Sequence, residues 1–385
     1  MVAEILVVAI GGAGGDLQPL VAASLALRDR GHEATFIGDA SVQRILAPLH
    51  VEVEVLPKEV DLGPRMAGVV QEAMQAAGGD LAKAGQVVQR GMTVWAHDVA
   101  EPISSSIDRH RPTAIVTSLF GVEAVDATCP PCPWAVINST FYIGPNPPRP
   151  VQEDIGPRAL PLIKRYAELL VSADLVLHAT DQVFDYSFDR LPSRHHYVGP
   201  LGIWEPPREP PTYLDEPGDP WVLVSISSLR QDDIALAEAA AHALADQPVR
   251  VLITLGPEYE PSELSGPPPN ARVEKTVSHS AVLERALLLV SHAGHGTVMK
   301  ALWQGKPMVL IPWGRDQPGV AARAEALGVA EAVPRAQARA ETIGAAVDRV
   351  LASKDMARNA ASHSARLRAT NPPATAAARL ASLIE

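Results

Sequence analysis

Residues 290–318 read VSHAGHGTVMKALWQGKPMVLIPWGRDQP and hold the densest set of side chains able to do chemistry. His292 stands after an apolar run, Gly294 and Gly296 leave the backbone bare, and Thr297 opens a segment with helical spacing. The unpaired N–H groups of a helix's first turn attract phosphate, and a turn without side chains lets a diphosphate come close. A histidine beside that turn donates to a phosphate oxygen and stabilises the charge on a departing diphosphate. Further along, Asp316 and Gln317 arrive at the same sheet edge. A carboxylate next to a carboxamide suits several sugar hydroxyls, because one accepts while the other both donates and accepts. The ligand these groups predict is a nucleotide diphospho-sugar. His295, in the same stretch, is assigned no chemistry.

A second candidate stands near the start, in GGAGGDLQP (11–19). It is not a dinucleotide fingerprint, because Leu17 occupies the place of the last small residue, although Asp39 could mimic a ribose-binding acid. No Lys-Ser/Thr closes the turn, which excludes a P-loop. Asp16 heads the apparent helix LQPLVAASL, where a carboxylate accepts backbone N–H bonds as an N-cap. Facing a cleft, the same carboxylate could take a proton from an acceptor hydroxyl, and spacing alone leaves both roles open. Cys129 and Cys132 form CPPC, the chain's only cysteines, read here as loop residues leading into a strand over 134–138. No clustered Asp/His set has metal-ligand spacing.

The elements that must position these groups alternate between strand and helix. Strands are expected at 4–10, 33–38, 51–57, 114–118 and 134–138, with a helix over 17–31 and a mainly helical 64–110 broken near Gly78-Gly79. GPLGIWEPPREPPTYLDEPGDP, at 199–220, is rich in proline and reads as a linker. Alternation then restarts with strands at 221–227, 249–256, 272–277, 287–291 and 307–313. Helices are expected over 231–245, 280–286, from near 296, and over 318–327, with a helical tail from 357 to 385. Such alternation is the sign of parallel sheets covered on both faces.

At 385 residues there is room for two domains, and a formal charge of −11 argues against nucleic acid or an anionic membrane as the main partner. No run of apolar residues is long enough to span a bilayer, and MVAEILVVAIGG reads as a first core strand rather than a signal peptide. Two cysteines fit a reducing cytoplasm.

The stretch SHAGHGT…MKALWQGKPMVLIPWGRDQP resembles the donor-binding signature of nucleotide-sugar-dependent glycosyltransferases with the GT-B fold. That superfamily includes plant UDP-glycosyltransferases, bacterial natural-product glycosyltransferases, sterol glucosyltransferases and rhamnolipid-type rhamnosyltransferases. AIGGAGGDLQPLVAASLALRDRGHEATFIG looks like the first unit of its G-x-x-GD-x-x-P branch, HYVGPLG (196–202) like the end of its N-terminal domain, and WVLVSISS like the start of its C-terminal one. The likeness covers most of the chain. It implies an α/β GT-B fold, two facing Rossmann-like domains with a cleft between them. Residues 1–205 would bind acceptor, 206–220 would link, 221–368 would bind the nucleotide sugar, and a helix over 369–385 would cross back to the first domain.

On matching positions, His292 and the backbone of Gly294, Gly296 and Thr297 would hold the diphosphate, with Ser228 across from them. Val277 and His279 would line the nucleobase, Asp316 and Gln317 would hold sugar hydroxyls, and Asp16 takes the place of the general base. Three positions depart from the pattern. Lys300 stands where many relatives carry a ribose-binding glutamate, and Ser278 replaces a common proline. Ser118 sits near an aspartate that orients a catalytic histidine in some relatives, a partner that Asp16 as base would not need.

The activity implied is inverting, metal-independent transfer of a hexose from UDP-glucose or a dTDP-sugar to a hydroxyl of a small hydrophobic acceptor. The nucleotide sugar is a co-substrate, and no further cofactor is implied. Residues 64–110 and FYIGPNPPRP (141–150) are expected against the acceptor, where Phe141 and Tyr142 either stack on it or, equally in keeping with their position, pack in the core after a strand. The alternatives are a lipid-linked cell-wall precursor glycosyltransferase and a nucleotide-sugar 2-epimerase of the same fold. A homodimer is left open.

Overall fold

A computed structural model of the chain describes residues 2–11, 14–144, 149–186 and 191–384. The expectations placed on Gly12, Ala13 and residues 145–148 lie outside the described residues. The chain divides into two compact units, one of residues 1–206 with 371–385, the other of residues 207–370.

In the first unit the strands are β1 (Glu4–Ala9), β2 (Glu33–Gly38), β3 (Val53–Val55), β4 (Ala114–Ser118), β5 (Trp134–Asn138), β6 (Leu175–His178) and β7 (His195–Tyr197). Its helices are α1 (Leu17–Arg28), α2 (Ala40–Leu46), α3 (Leu62–Ala77), α4 (Leu81–His110), α5 (Val122–Ala127) and α6 (Arg149–Leu169). The strands pair in parallel in the order β3-β2-β1-β4-β5-β6-β7, a doubly wound sheet. Alternate residues of β1 enter different cores. Leu6, Val8 and Ile10 pack in one cluster with Trp95, Val99 and Ile103 of α4, whereas Ile5, Val7 and Ala9 join Leu20, Val21 and Leu27 of α1. Successive strand residues point to opposite faces, so the apolar, buried run ILVVA that follows Glu4 demands helices on both sides.

The second unit repeats the plan with β8 (Trp221–Ser225), β9 (Arg250–Thr254), β10 (Ala271–Glu274), β11 (Ala286–Ser291), β12 (Met308–Leu310) and β13 (Ala330–Ala332). Its sheet runs β10-β9-β8-β11-β12-β13, again parallel throughout. The helices are α7 (Ile234–Ala243), α8 (His279–Arg285), α9 (His295–Trp303), α10 (Gln317–Ala326), α11 (Ala340–Ala352) and α12 (Lys354–Arg368). The last helix, α13 (Pro372–Ala381), belongs to the first unit, where Ala376, Ala377 and Leu380 complete the core beneath α1. Gly199 makes room for it: φ is +87°, and a Cβ there would lie 2.9 Å from Pro372 Cγ.

The fold corrects several expectations. Residues 207–220, read as a linker, are part of the second unit. A 3-10 turn over Thr212–Asp215 buries Leu214, the Tyr213 and Trp221 rings lie 5.9 Å apart, and Asp215 accepts from Arg285 Nε at 2.7 Å. Proline content there marked irregular backbone, not the absence of packing. The first sheet gains β6 and β7, and α6 occupies a stretch whose three prolines and one glycine break its helical pattern. The break near Gly78-Gly79 is real: Gly78 is left-handed at φ 55°, and Asp80 caps α4 by accepting from Ala82 N at 2.9 Å and Lys83 N at 3.1 Å.

Candidate functional site

In the second unit, β11 pairs with β8 so that Ser291 lies opposite Ser225, and the next residue, His292, leaves the carboxyl edge of the sheet. Its Nδ1 sits 3.2 Å from the Ser225 carbonyl oxygen. A carbonyl only accepts, so Nδ1 carries the hydrogen, and in the neutral ring Nε2 carries a lone pair. The ring is buried, and burial pushes its pKa below the ordinary histidine value. The charges of Asp233 and Asp316 and the Ser225 bond act the other way, while Arg315 adds to the lowering. Ala293 then takes a left-handed conformation, φ 67°, which turns the chain into α9. A non-glycine residue held there is strained, as is common where backbone must meet a ligand.

Gly294 is the N-cap residue of α9 and has a steric task. A Cβ on it would lie 2.5 Å from His292 Nε2 and 3.0 Å from Cε1, closer than such atoms can approach. The glycine is what allows the imidazole to lie beside the helix start. Gly296 and Thr297 follow half-buried in the first turn, whose N–H groups have no acceptor within the helix. His295 and Lys300 are buried on the same helix. Among the second unit's other expected residues, Val277 is half-buried, and His279 opens α8 with Nε2 2.9 Å from Thr254 Oγ1. Ser278 takes over the turn by capping α8, accepting from Ala281 N at 3.1 Å.

Asp316 is half-buried at the head of α10 and makes no side-chain cap. Gln317 is buried, and its Oε1 accepts from Trp313 N at 2.8 Å and Gly314 N at 2.9 Å, while Nε2 donates to Gln231 Oε1 at 3.2 Å. Its carboxamide therefore braces the turn that presents Asp316. Two residues that sequence reasoning passed over complete this edge. Asp233 is wholly buried. Its Oδ2 accepts from Ser227 N at 2.8 Å and Gln231 Nε2 at 3.0 Å, and its Oδ1 from Tyr259 Oη at 3.2 Å. That carboxylate fixes the β8–α7 turn bearing Ser228 and places a negative charge near His292. Arg315, left-handed at φ 58°, reaches Ser227 Oγ and the Leu229 carbonyl, both at 3.3 Å. Asp233 had a readable signal, an acid at the head of a helical run; Arg315 had none.

In the first unit, Asp16 stands at the N-cap position of α1 in helical backbone (φ −76°, ψ −27°), and its side chain makes no cap bond. The expected backbone cap is thus corrected. The carboxylate turns instead to the β5 edge, where Ser139 Oγ donates to Oδ1. Ser118 is buried at the end of β4 with its hydroxyl unpartnered, as is that of Tyr166 on α6, a phenol pushed up by burial and by the charges of Asp16 and Glu123. Phe141 and Tyr142, for which the sequence leaves stacking on an acceptor and core packing both open, are buried, the tyrosine ring 5.3 Å from that of His178. Cys129 and Cys132 are free thiols before β5, and burial with the Asp174 charge raises the Cys132 thiol, away from redox-active thiolate. Among the described residues, no group of three or more His, Cys, Asp and Glu side chains is set to hold a metal, and no helix is long and apolar enough to cross a membrane.

Residues 233–379 match the family model for the glycosyltransferase family 28 C-terminal domain. The spinosyn rhamnosyltransferase SpnG, solved with thymidine diphosphate, matches with a TM-score of 0.72 at 19% identity, over 99% of this chain and 100% of that one. The chain has the GT-B glycosyltransferase fold. A second GT-B structure, the glycotransferase of kitacinnamycin, matches over 100% of both chains with a TM-score of 0.71 at 21% identity. Among curated relatives, demethyllactenocin mycarosyltransferase of Streptomyces fradiae is 28% identical over 201 residues, 50% of this chain and 42% of that protein. The aligned part thus spans less than half of that relative's length. O-mycaminosyltylonolide 6-deoxyallosyltransferase of the same organism is 25% identical over 398 residues, 90% of this chain and 89% of the relative. In this GT-B chain the family 28 match takes in Asp233, Val277, His279, His292, Gly294, Asp316 and Gln317, whereas Asp16, Ser139 and Ser228 lie outside it.

Proposed function

We propose that the chain is an inverting glycosyltransferase moving a hexose from a UDP- or dTDP-linked sugar to a hydroxyl of a small hydrophobic acceptor. The observation that carries this reading is the β11–α9 turn: His292 packed against a glycine-cleared helix start, with an aspartate at the neighbouring helix head. In the reaction, Asp16 takes the acceptor proton while the oxygen attacks the anomeric carbon from the face opposite the diphosphate, inverting it. The diphosphate leaves toward the first turn of α9 and His292, where N–H dipoles and an imidazolium stabilise its charge. Asp316, held at its turn by Gln317, accepts from sugar hydroxyls; Ser228 faces the diphosphate; Val277 and His279 contact the base. Protein groups supply this charge stabilisation, so transfer should persist in EDTA.

The likeness to macrolide and spinosyn glycosyltransferases supports an acceptor of comparable size and polarity. With Phe141 and Tyr142 buried, its contacts fall to the exposed sides of α3 and α4. The test incubates the protein with UDP-glucose and dTDP-sugars, with and without a pool of phenolic and macrolide aglycones, and reads products by mass spectrometry. Acceptor-dependent loss of donor and a glycosylated product are expected, with Asp16→Asn inactive yet still binding UDP or TDP. Epimerised or hydrolysed donor without acceptor, or an active Asp16→Asn variant, would overturn the reading.

A further inference from the structure

Asp16 does not stand alone at the edge of the first sheet, and the turn that carries its partner is tied down by buried hydrogen bonds. Ser139, the residue after β5, donates its hydroxyl to Asp16 Oδ1. The turn that carries Ser139 is tied by its neighbour. Asn138 is wholly buried; its Oδ1 accepts from Thr140 N at 3.3 Å, and its Nδ2 donates to the Phe141 carbonyl at 2.7 Å. The same carboxamide nitrogen lies 3.0 Å from His178 Nδ1, and His178 Nε2 lies 3.0 Å from His195 Nδ1. An amide nitrogen only donates, so His178 must accept at Nδ1 and donate from Nε2, and His195 must accept at Nδ1. Both histidines are therefore held neutral in one tautomer, in keeping with burial, which lowers them and takes His195 to about 4. The hydrogen bonds run from β7 through β6 to Asn138 at the end of β5, and Ser139, the next residue along the backbone, makes the separate bond to Asp16.

We infer that Ser139 is a positioning residue for the proton-accepting carboxylate, on a turn braced by the buried side chains of Asn138, His178 and His195. This rests on the reading of Asp16 as general base. A hydroxyl donated to one oxygen fixes the plane in which the carboxylate meets the acceptor proton. It also favours the charged form of Asp16, so that the base stays ionised at lower pH. Of the titratable groups around this edge, Tyr166 feels the Asp16 charge but is pushed up and out of the acid range, and Glu123 lies beyond it, paired with Arg165 at 2.9 Å. His178, His195 and His196 are all lowered, and they remain in every variant used below.

The experiment measures kcat/KM against pH with TDP- and UDP-sugars and a phenolic acceptor, for the wild type, Ser139→Ala and Ser139→Thr, with thermal melts alongside. Loss of the hydroxyl should move the acid limb up by about one pH unit, and thus lower kcat/KM below it by about tenfold. Ser139→Thr should restore the limb, and nucleotide affinity and melting temperature should change little. Since His195 is common to all three, the difference reports the hydroxyl. An unmoved limb in Ser139→Ala with Asp16→Asn inactive overturns this inference and leaves the base in place. An active Asp16→Asn overturns the base itself. A loss in Ser139→Ala spread evenly over all pH values, or not restored by threonine, would also count against a positioning role.

Discussion

Replacing Gly294 by alanine tests the packing on which the proposed diphosphate site depends. The added Cβ would sit 2.5 Å from His292 Nε2, nearly an ångström inside ordinary contact, with the ring otherwise enclosed. The imidazole must swing, and its 3.2 Å bond to the Ser225 carbonyl breaks. An intramolecular hydrogen bond contributes about 1 kcal/mol, and one to a charged group about 1.5–3 kcal/mol. Misplacing His292 should therefore weaken UDP or TDP binding roughly tenfold to a hundredfold. Isothermal titration of the wild type, Gly294→Ala, His292→Ala and the double variant gives a cycle in which coupling can be read directly. If glycine acts by clearing the ring, alanine at 294 costs little once His292 is gone. Wild-type affinity in Gly294→Ala, or equal losses in both backgrounds, would refute the reasoning, the second result pointing to backbone approach alone.

Three further outcomes follow from the same geometry. Because His292 Nε2 can donate to a diphosphate only when the ring is charged, binding should bring a proton; UDP affinity should rise as pH falls from about 8 toward 6, by up to about tenfold per unit, and His292→Ala should flatten the dependence. Tyr166→Phe removes a buried hydroxyl that has no partner, so its melting temperature should match or exceed the wild type by a few degrees; a clear drop would show that the hydroxyl is satisfied. His195 is lowered from 6.5 to about 4, so the unfolded chain binds its proton first on acidification. Stability should be full above about 6.5 and fall progressively toward 4, and His195→Gln should shrink that loss in melts taken at both ends.

The elements around His292 were legible because their signals are local. An apolar run followed by His292, bare glycines and helical spacing describes a strand edge and a helix start, each set by backbone geometry within a few residues. The strand–helix alternation likewise announced two parallel sheets, since strands apolar on both faces need helices on both sides. Where the local signal was weak, the reading thinned. β6 is only four residues long, and α6 carries prolines and a glycine that punctuate its period, so neither stood out.

By itself, then, the sequence determined the type of each unit and named His292, Gly294, Asp316 and Asp16, because residue type and short spacing carry that information. Only the tertiary structure decided what these side chains do to one another. Asp16 lost its cap and acquired Ser139, from the turn after β5, more than a hundred residues away in the chain. Asp233 joined the β8–α7 turn to the surroundings of His292, and residues 207–220 became part of a domain. Hydrogen bonds between strand ends depend on sheet order, which follows from packing two whole faces at once and is written in no single segment.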